Sequence, residues 1–234
     1  MKAPILDLVV LISGRGSNME MLQRACSDGR LAARVVAVIA DRPEAGGLAL
    51  ARTLQIPEHL VSYRDYATRH DFEVALAGRI DSCLAASPRN LIVLAGFMRI
   101  LDAPFVNRYQ GRMINIHPSL LPAYRGLDTY RRALADGARW HGSSVHYVTA
   151  ELDGGPVIAQ VRVAVQTDDT PATLSARVQR VEHRLYWRVI DWIARSRLHL
   201  GLDGASLDGK PLLRPVQWQL PDPDMDGELI DVAS

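Results

Sequence analysis

Ile5-Leu6-Asp7-Leu8-Val9-Val10-Leu11-Ile12-Ser13-Gly14-Arg15-Gly16-Ser17-Asn18 decides the fold. Residues 5–13 are an apolar run rich in β-branched side chains, the pattern of a strand covered on both faces. A glycine-rich turn follows, and 17–27 carries helical spacing through Met19, Leu22, Ala25 and Cys26 before Asp28-Gly29 ends it. The alternation continues outward. A strand over 35–40 closes at Asp41-Arg42-Pro43, a short helix spans 47–54, a strand 59–62, a helix 71–86 and a buried strand 91–95. Such strand-helix alternation predicts an α/β fold, a doubly wound, mostly parallel sheet with helices on both faces.

Beyond residue 100 the pattern changes. A short helix over 104–109, a strand over 112–117 and a helix over 129–136 precede strands at 143–148 and 157–165, with Asp153-Gly154-Gly155 in the turn region between them. Thr170 is placed to cap, and Pro171 to open, a long amphipathic helix reaching about 196. This half is expected to extend the same sheet, so that 5–216 forms one domain with halves at 5–100 and 101–200. Two strand-like pieces lie around Asp203-Gly204 and Asp208-Gly209, and 217–234 is expected to be a disordered acidic tail. Within that tail, Asp222, Asp224, Asp226 and Gly227 begin like a calcium loop, but Ala233 stands where the bidentate Glu belongs. The segment therefore reads as solvated tail. No internal repeat is visible.

A chain of 234 residues, 48% apolar and 23% charged, has the composition of an ordinary globular protein. The net charge of +1 lies in no block of like sign, so nothing demands nucleic acid or a membrane surface. Cys26 and Cys83 fall in helical segments without metal-ligand spacing and read as reduced core thiols. No stretch has the length of an apolar membrane span, and Met1-Lys2-Ala3-Pro4 has no signal-peptide pattern; a cytoplasmic home is expected.

Chemistry concentrates in Asn115-Ile116-His117-Pro118-Ser119-Leu120-Leu121-Pro122 and Glu151-Leu152-Asp153-Gly154-Gly155-Pro156. Residues two apart on a strand share a side, so Asn115 and His117 would present an amide and an imidazole together where Pro118 stops the strand. One group can hold a developing oxyanion while the other moves a proton, and Asp153 on its glycine turn would fix and charge the imidazole. A lone His is most often a surface or satisfied core residue. The combination with Asn115, the bracketing prolines and Asp153 shifts the weight to catalysis on a carbonyl carbon. His141 and His146 do not combine with His117 into a zinc-ligand spacing, and no metal is expected.

The Gly14-Arg15-Gly16-Ser17-Asn18 turn suits an anion, because glycines permit close approach and the helix start leaves N–H groups free. It is not the dinucleotide fingerprint, since Met19 replaces the third Gly; Asp41 in the ribose-binding position does not restore it. No Gly-Lys-Ser/Thr makes it a P-loop. A plain capped strand-to-helix turn is the simpler alternative.

Together, Ile12 to Asn18, the Leu94-Ala95-Gly96-Phe97-Met98-Arg99-Ile100-Leu101 segment, the 115–122 run and the 151–156 turn closely resemble the family of folate-dependent phosphoribosylglycinamide formyltransferases, in the same order, across about 6–200. The Asn-x-His and distant Asp pattern resembles formyltransferases at large; the Ser-Gly-x-Gly-Ser-Asn loop with Ala-Gly-Phe-Met-Arg-Ile-Leu narrows it to the ribonucleotide enzymes. The resemblance implies formyl transfer from 10-formyltetrahydrofolate to the amine of glycinamide ribonucleotide by a monomer or homodimer acting on small molecules. It implies Asn115, His117 and Asp153 as the catalytic trio, and Gly16, Ser17, Asn18, Gln179 and Glu182 around the ribonucleotide. Arg69, Met98, Arg99, Ile100, Leu101, Thr149, Ala150, Glu151 and Leu152 would hold the folate. Two positions depart from the pattern: Arg125 stands where Pro is common, a feature more usual in the tRNA-directed branch, and Asp128 stands where His is common. Rival readings are formyl transfer to tRNA or a sugar amine, hydrolysis of the formyl folate, and a non-catalytic nucleotide-binding module. The first two go with additional domains in the relatives, and the third leaves the trio without a shared purpose.

Overall fold

The computed structural model describes residues 4–201, 204–219 and 230–231. The first half runs β1 (Leu6–Ile12), α1 (Ser17–Ser27), β2 (Ala33–Ala40), α2 (Gly46–Thr53), β3 (Glu58–Leu60), a 3-10 turn at Tyr63–Asp65, α3 (Arg69–Leu84) and β4 (Asn90–Leu94). The second half adds α4 (Ala103–Arg108), β5 (Met113–His117), α5 (Thr129–Ala135), β6 (Trp140–Tyr147), β7 (Val157–Ala164) and α6 (Pro171–Ala194). It ends with β8 (Leu198–Gly201), β9 (Gly204–Leu207), β10 (Lys210–Pro211), β11 (Val216–Gln219) and β12 (Ile230–Asp231).

One nine-stranded sheet has the order β12-β11-β7-β6-β5-β4-β1-β2-β3. From β3 to β5 all neighbours are parallel, and β6 runs antiparallel to both β5 and β7. β1 is buried along its whole length, as its unbroken apolar pattern requires. Its side chains alternate between two cores: Leu8, Val10 and Ile12 face α1 and α6 residues such as Leu22 and Leu185, while Val9 and Leu11 face α3 and α4 residues such as Phe72 and Phe105. The chain moves outward from β1 to β3 and returns to β4 on the opposite side. This makes a switch point where the loops after β1 and β4 diverge, the usual ligand position in such sheets. Ser13 ties those loops together, its N–H donating to Gly96 O (3.1 Å) and its Oγ accepting from Met98 N–H (2.8 Å).

The predicted elements are present, with shifted ends. α3 begins at Arg69 because Thr68 caps it, Oγ1 accepting from Asp71 N–H at 3.1 Å. β6 begins at Trp140 rather than 143. Trp140-His141-Gly142 lacks an apolar alternation, yet pairs with 162–164 of β7, and a Cβ on Gly142 would stand 1.9 Å from Val161 O. α6 opens with Thr170 and Thr173 in a reciprocal capping box and Pro171 in its first turn.

The disordered tail expected from 217 onward is corrected at both described parts. β11 joins the main sheet parallel to β7, β12 pairs antiparallel with β11, and Trp218 packs on Trp192 of α6 with ring centroids 5.4 Å apart. So short a strand as Val216–Gln219 carries no periodic signal, but the open edge of β7 supplies its hydrogen bonds, and β11 in turn supplies those of β12. The calcium-like stretch 222–228 lies outside the described residues. β8, β9 and β10 form a separate antiparallel sheet, with Asp208 (φ 52°) and Gly209 (φ 75°) turning β9 into β10.

Candidate active site

The turn between β1 and α1 is shaped by backbone. Gly16 caps α1 in the left-handed region (φ 82°), and a Cβ there would lie 2.9 Å from the Gly47 Cα. Gly14 differs, since a Cβ there meets nothing within 4 Å. Only the second glycine of the pair is sterically required. A glycine cap brings no side-chain acceptor to the first N–H groups of α1, an arrangement that suits an anion. α6 closes this end from more than 160 residues away: Gln179 Nε2 donates to Ser17 Oγ (3.0 Å), Arg15 Nη2 donates to Gln179 Oε1 (3.1 Å), and Asn18 Nδ2 approaches Glu182 Oε2 (3.5 Å). All five residues assigned to the ribonucleotide therefore come together. Glu182 is buried, and burial pushes its carboxyl up to about 7, opposed by hydrogen bonds from Asn18 and Ser143.

Asn115 and His117 end β5 on the same side of the strand, and β6 faces them in register, His146 opposite Asn115 and Ser144 opposite His117. His117 Nε2 lies 2.9 Å from the Tyr124 carbonyl, which can only accept, so Nε2 carries a proton. Nδ1 is left facing Asp153 Oδ2 at 3.4 Å. Asp153 takes a left-handed conformation (φ 48°), and its Oδ2 also accepts from Gly126 N–H at 2.8 Å. The turn behind it needs Gly155, where a Cβ would stand 1.8 Å from Tyr147 O; at Gly154 a Cβ would meet only the movable end of the Glu151 side chain.

His146 escaped the sequence reading. Its Nδ1 donates to Tyr147 O (3.0 Å), and burial drives its pKa down to about 4, so it stands neutral with a bare Nε2. That nitrogen accepts from Asn115 Nδ2 at 3.1 Å, fixing which way the amide points. The 3.6 Å approach of Nε2 to Asp153 Oδ1 is then a contact rather than an ion pair. The signal was the antiparallel register of β5 and β6, which no local motif encodes.

A cleft beside this cluster is lined by Asn115, His146 and Asp153 together with Arg99, Ile100, Leu101, Thr149, Ala150, Glu151 and Leu152. Seven of the nine residues assigned to folate thus line it, and two do not. Met98 is 60% exposed at the rim, its N–H held by Ser13. Arg69, in the first turn of α3, donates through Nε to the buried Glu73 (2.9 Å), whose Oε1 also accepts from Asp102 N–H (2.9 Å). Arg99 stacks over Tyr63 (4.1 Å to the ring centre) and pairs with buried Asp41, so the acid after β2 anchors an arginine of the cleft. Among the described residues no group of His, Cys, Asp and Glu is arranged to hold a metal ion, and no helix is long and apolar enough to cross a membrane.

The family model described as formyl transferase matches residues 6–190. The chain is 44% identical over 207 residues to a phosphoribosylglycinamide formyltransferase of Escherichia coli K12, covering 88% of this chain and 96% of that protein. Among solved structures, a phosphoribosylglycinamide formyltransferase from Coxiella burnetii superposes with a TM-score of 0.83 at 48% identity, covering 89% of this chain and 96% of the other. A glycinamide ribonucleotide transformylase from Symbiobacterium toebii gives 0.81 at 38% identity, covering 87% and 94%.

Proposed function

The chain belongs to the formyl transferase family, and on that premise we propose that it transfers the formyl group of 10-formyltetrahydrofolate to the amine of glycinamide ribonucleotide in purine biosynthesis. The observation that carries this reading is the meeting of Asn115, His117 and Asp153 beside the cleft, at the same edge of the sheet as the glycine-capped turn.

The ribonucleotide phosphate sits on the N–H groups at the start of α1, with Ser17 oriented by Gln179. Its amine attacks the formyl carbon; a C–N bond forms as the carbonyl π pair moves to oxygen. The second N–H of Asn115, whose first is held by His146, and a proton on His117 Nδ1 stabilise that oxyanion. Asp153 takes the proton released by the amine. Collapse breaks the bond from carbon to N10, which takes the proton that His117 gives up. The Nε2–Tyr124 hydrogen bond holds the ring through both steps. The main sheet draws strands from both 5–100 and 101–200 and so supports treating them as one catalytic domain, with β11 and β12 extending the same sheet beyond 216. The near-neutral charge supports an enzyme of small molecules rather than of nucleic acid or an anionic membrane.

A spectrophotometric assay with a 10-formyl folate, with and without glycinamide ribonucleotide, tests the reading. Release of the deformylated folate that depends on the amine is expected. Release independent of it means hydrolysis, and no release means a binding module; either result overturns the proposal.

A further inference from the structure

Residues 124–126 touch both members of the proton-moving pair. The Tyr124 carbonyl accepts from His117 Nε2 (2.9 Å), and the Gly126 N–H donates to Asp153 Oδ2 (2.8 Å). Between them, the Arg125 side chain pairs with Glu151, two residues ahead of Asp153. The backbone here is contorted, with Tyr124 (φ 54°), Gly126 (φ 78°) and Asp128 (φ 57°) all left-handed. Such conformations persist only where their surroundings over-determine them. Arg132 holds the side toward α5, Nη1 donating to Arg125 O at 2.7 Å; the Arg125 side chain holds the side toward the folate turn.

We propose that Arg125 is a positioning residue for formyl transfer: by pairing with Glu151 it keeps the Tyr124 carbonyl on His117 and the Gly126 N–H on Asp153. The inference rests on the function proposed above. Arg125 touches neither reacting group through its side chain, so its effect falls on turnover more than on binding. The pair is exposed, at 39% and 66% of the two side chains, which makes the expected effect modest.

The test compares Arg125→Ala and Arg125→Lys in steady-state assays, alongside amide exchange of Gly126. Arg125→Ala is expected to lose about two- to fivefold in kcat while the ribonucleotide KM moves by less than about twofold, and the Gly126 amide should exchange several-fold faster. Lys, which keeps a positive charge opposite Glu151, restores most of the turnover. Unchanged kcat with unchanged exchange overturns the proposal, as does a loss confined to the folate KM or a Lys variant as impaired as Ala. Should the unsubstituted protein fail to formylate the ribonucleotide, the function reading falls, and exchange at Gly126 still decides whether Arg125 orders the turn.

Discussion

The two ends of the site are built from different materials. At the phosphate end the chain path does the work: a left-handed Gly16, its close approach to Gly47 and the uncapped start of α1. At the formyl end the work falls to side chains from separate segments, held by non-glycine residues in left-handed conformations at Tyr124, Asp128 and Asp153. The glycine turn itself is encoded by adjacent residues, with Gly47 and α6 closing over it from afar, whereas the formyl end depends throughout on register and on loops that meet across the fold. Substitutions should therefore damage binding at one end and chemistry at the other. His117→Ala gives the sharpest separation. Turnover should fall about a thousandfold through loss of both oxyanion donor and acid, while ribonucleotide binding measured by calorimetry stays within about threefold. A comparable loss in binding would erase the distinction between the ends.

Glu182 is the exception at the phosphate end, a buried titratable side chain within a backbone-built site. Its folded pKa of about 7 stands above the ordinary 4.5, so between those values the folded state keeps a proton that the unfolded chain releases. Stability contributed by the neutral carboxyl is complete below about pH 4.5, declines as pH rises and is lost by about pH 7. The shift corresponds to about 3 kcal/mol. Denaturant unfolding of Glu182→Gln at pH 5 and pH 8 should show a pH dependence flatter by about that amount. An unchanged slope would mean that Glu182 is ionised in the folded protein.

The same contrast explains what the sequence revealed. The parallel sheet was legible because strands such as β1 and β4, covered on both faces, must be apolar along their length. Asn115 and His117 were legible because two residues on one strand obey a fixed period. His146 was not, since its place opposite Asn115 follows from how β6 pairs with β5. Nor was the role of Arg69: an arginine in the first turn of a helix gives no sign that Glu73, four residues on, is buried to receive it. The strand at 216–219 was hidden for a related reason, because its backbone partner is the edge of β7, far away in sequence, and four residues carry no period of their own. Gly14 and Gly16, equal as letters, also separate only in space. Gly16→Ala should cost about 2 kcal/mol in stability from its left-handed backbone, and raise the ribonucleotide KM about tenfold with the folate KM unmoved. Gly14→Ala should leave both near their starting values, and equal effects would return the pair to a generic glycine turn.

His146→Leu probes the formyl end where it is least obvious. The imidazole touches neither the amine nor the phosphate site in the proposed mechanism; it accepts one Asn115 N–H and so aims the other at the oxyanion. Leucine keeps the volume but leaves that N–H unpaired and the amide free to turn over, which removes pre-organisation without removing the donor. Turnover should drop about tenfold, well short of the loss in His117→Ala, with the ribonucleotide KM unchanged. Because the ring is already neutral, with a pKa near 4, the pH profile of kcat should keep its shape above pH 5 in the variant. A lost limb in that range would assign His146 a proton in the reaction, and the formyl end would then contain two acid–base histidines instead of one that moves a proton and one that holds an amide.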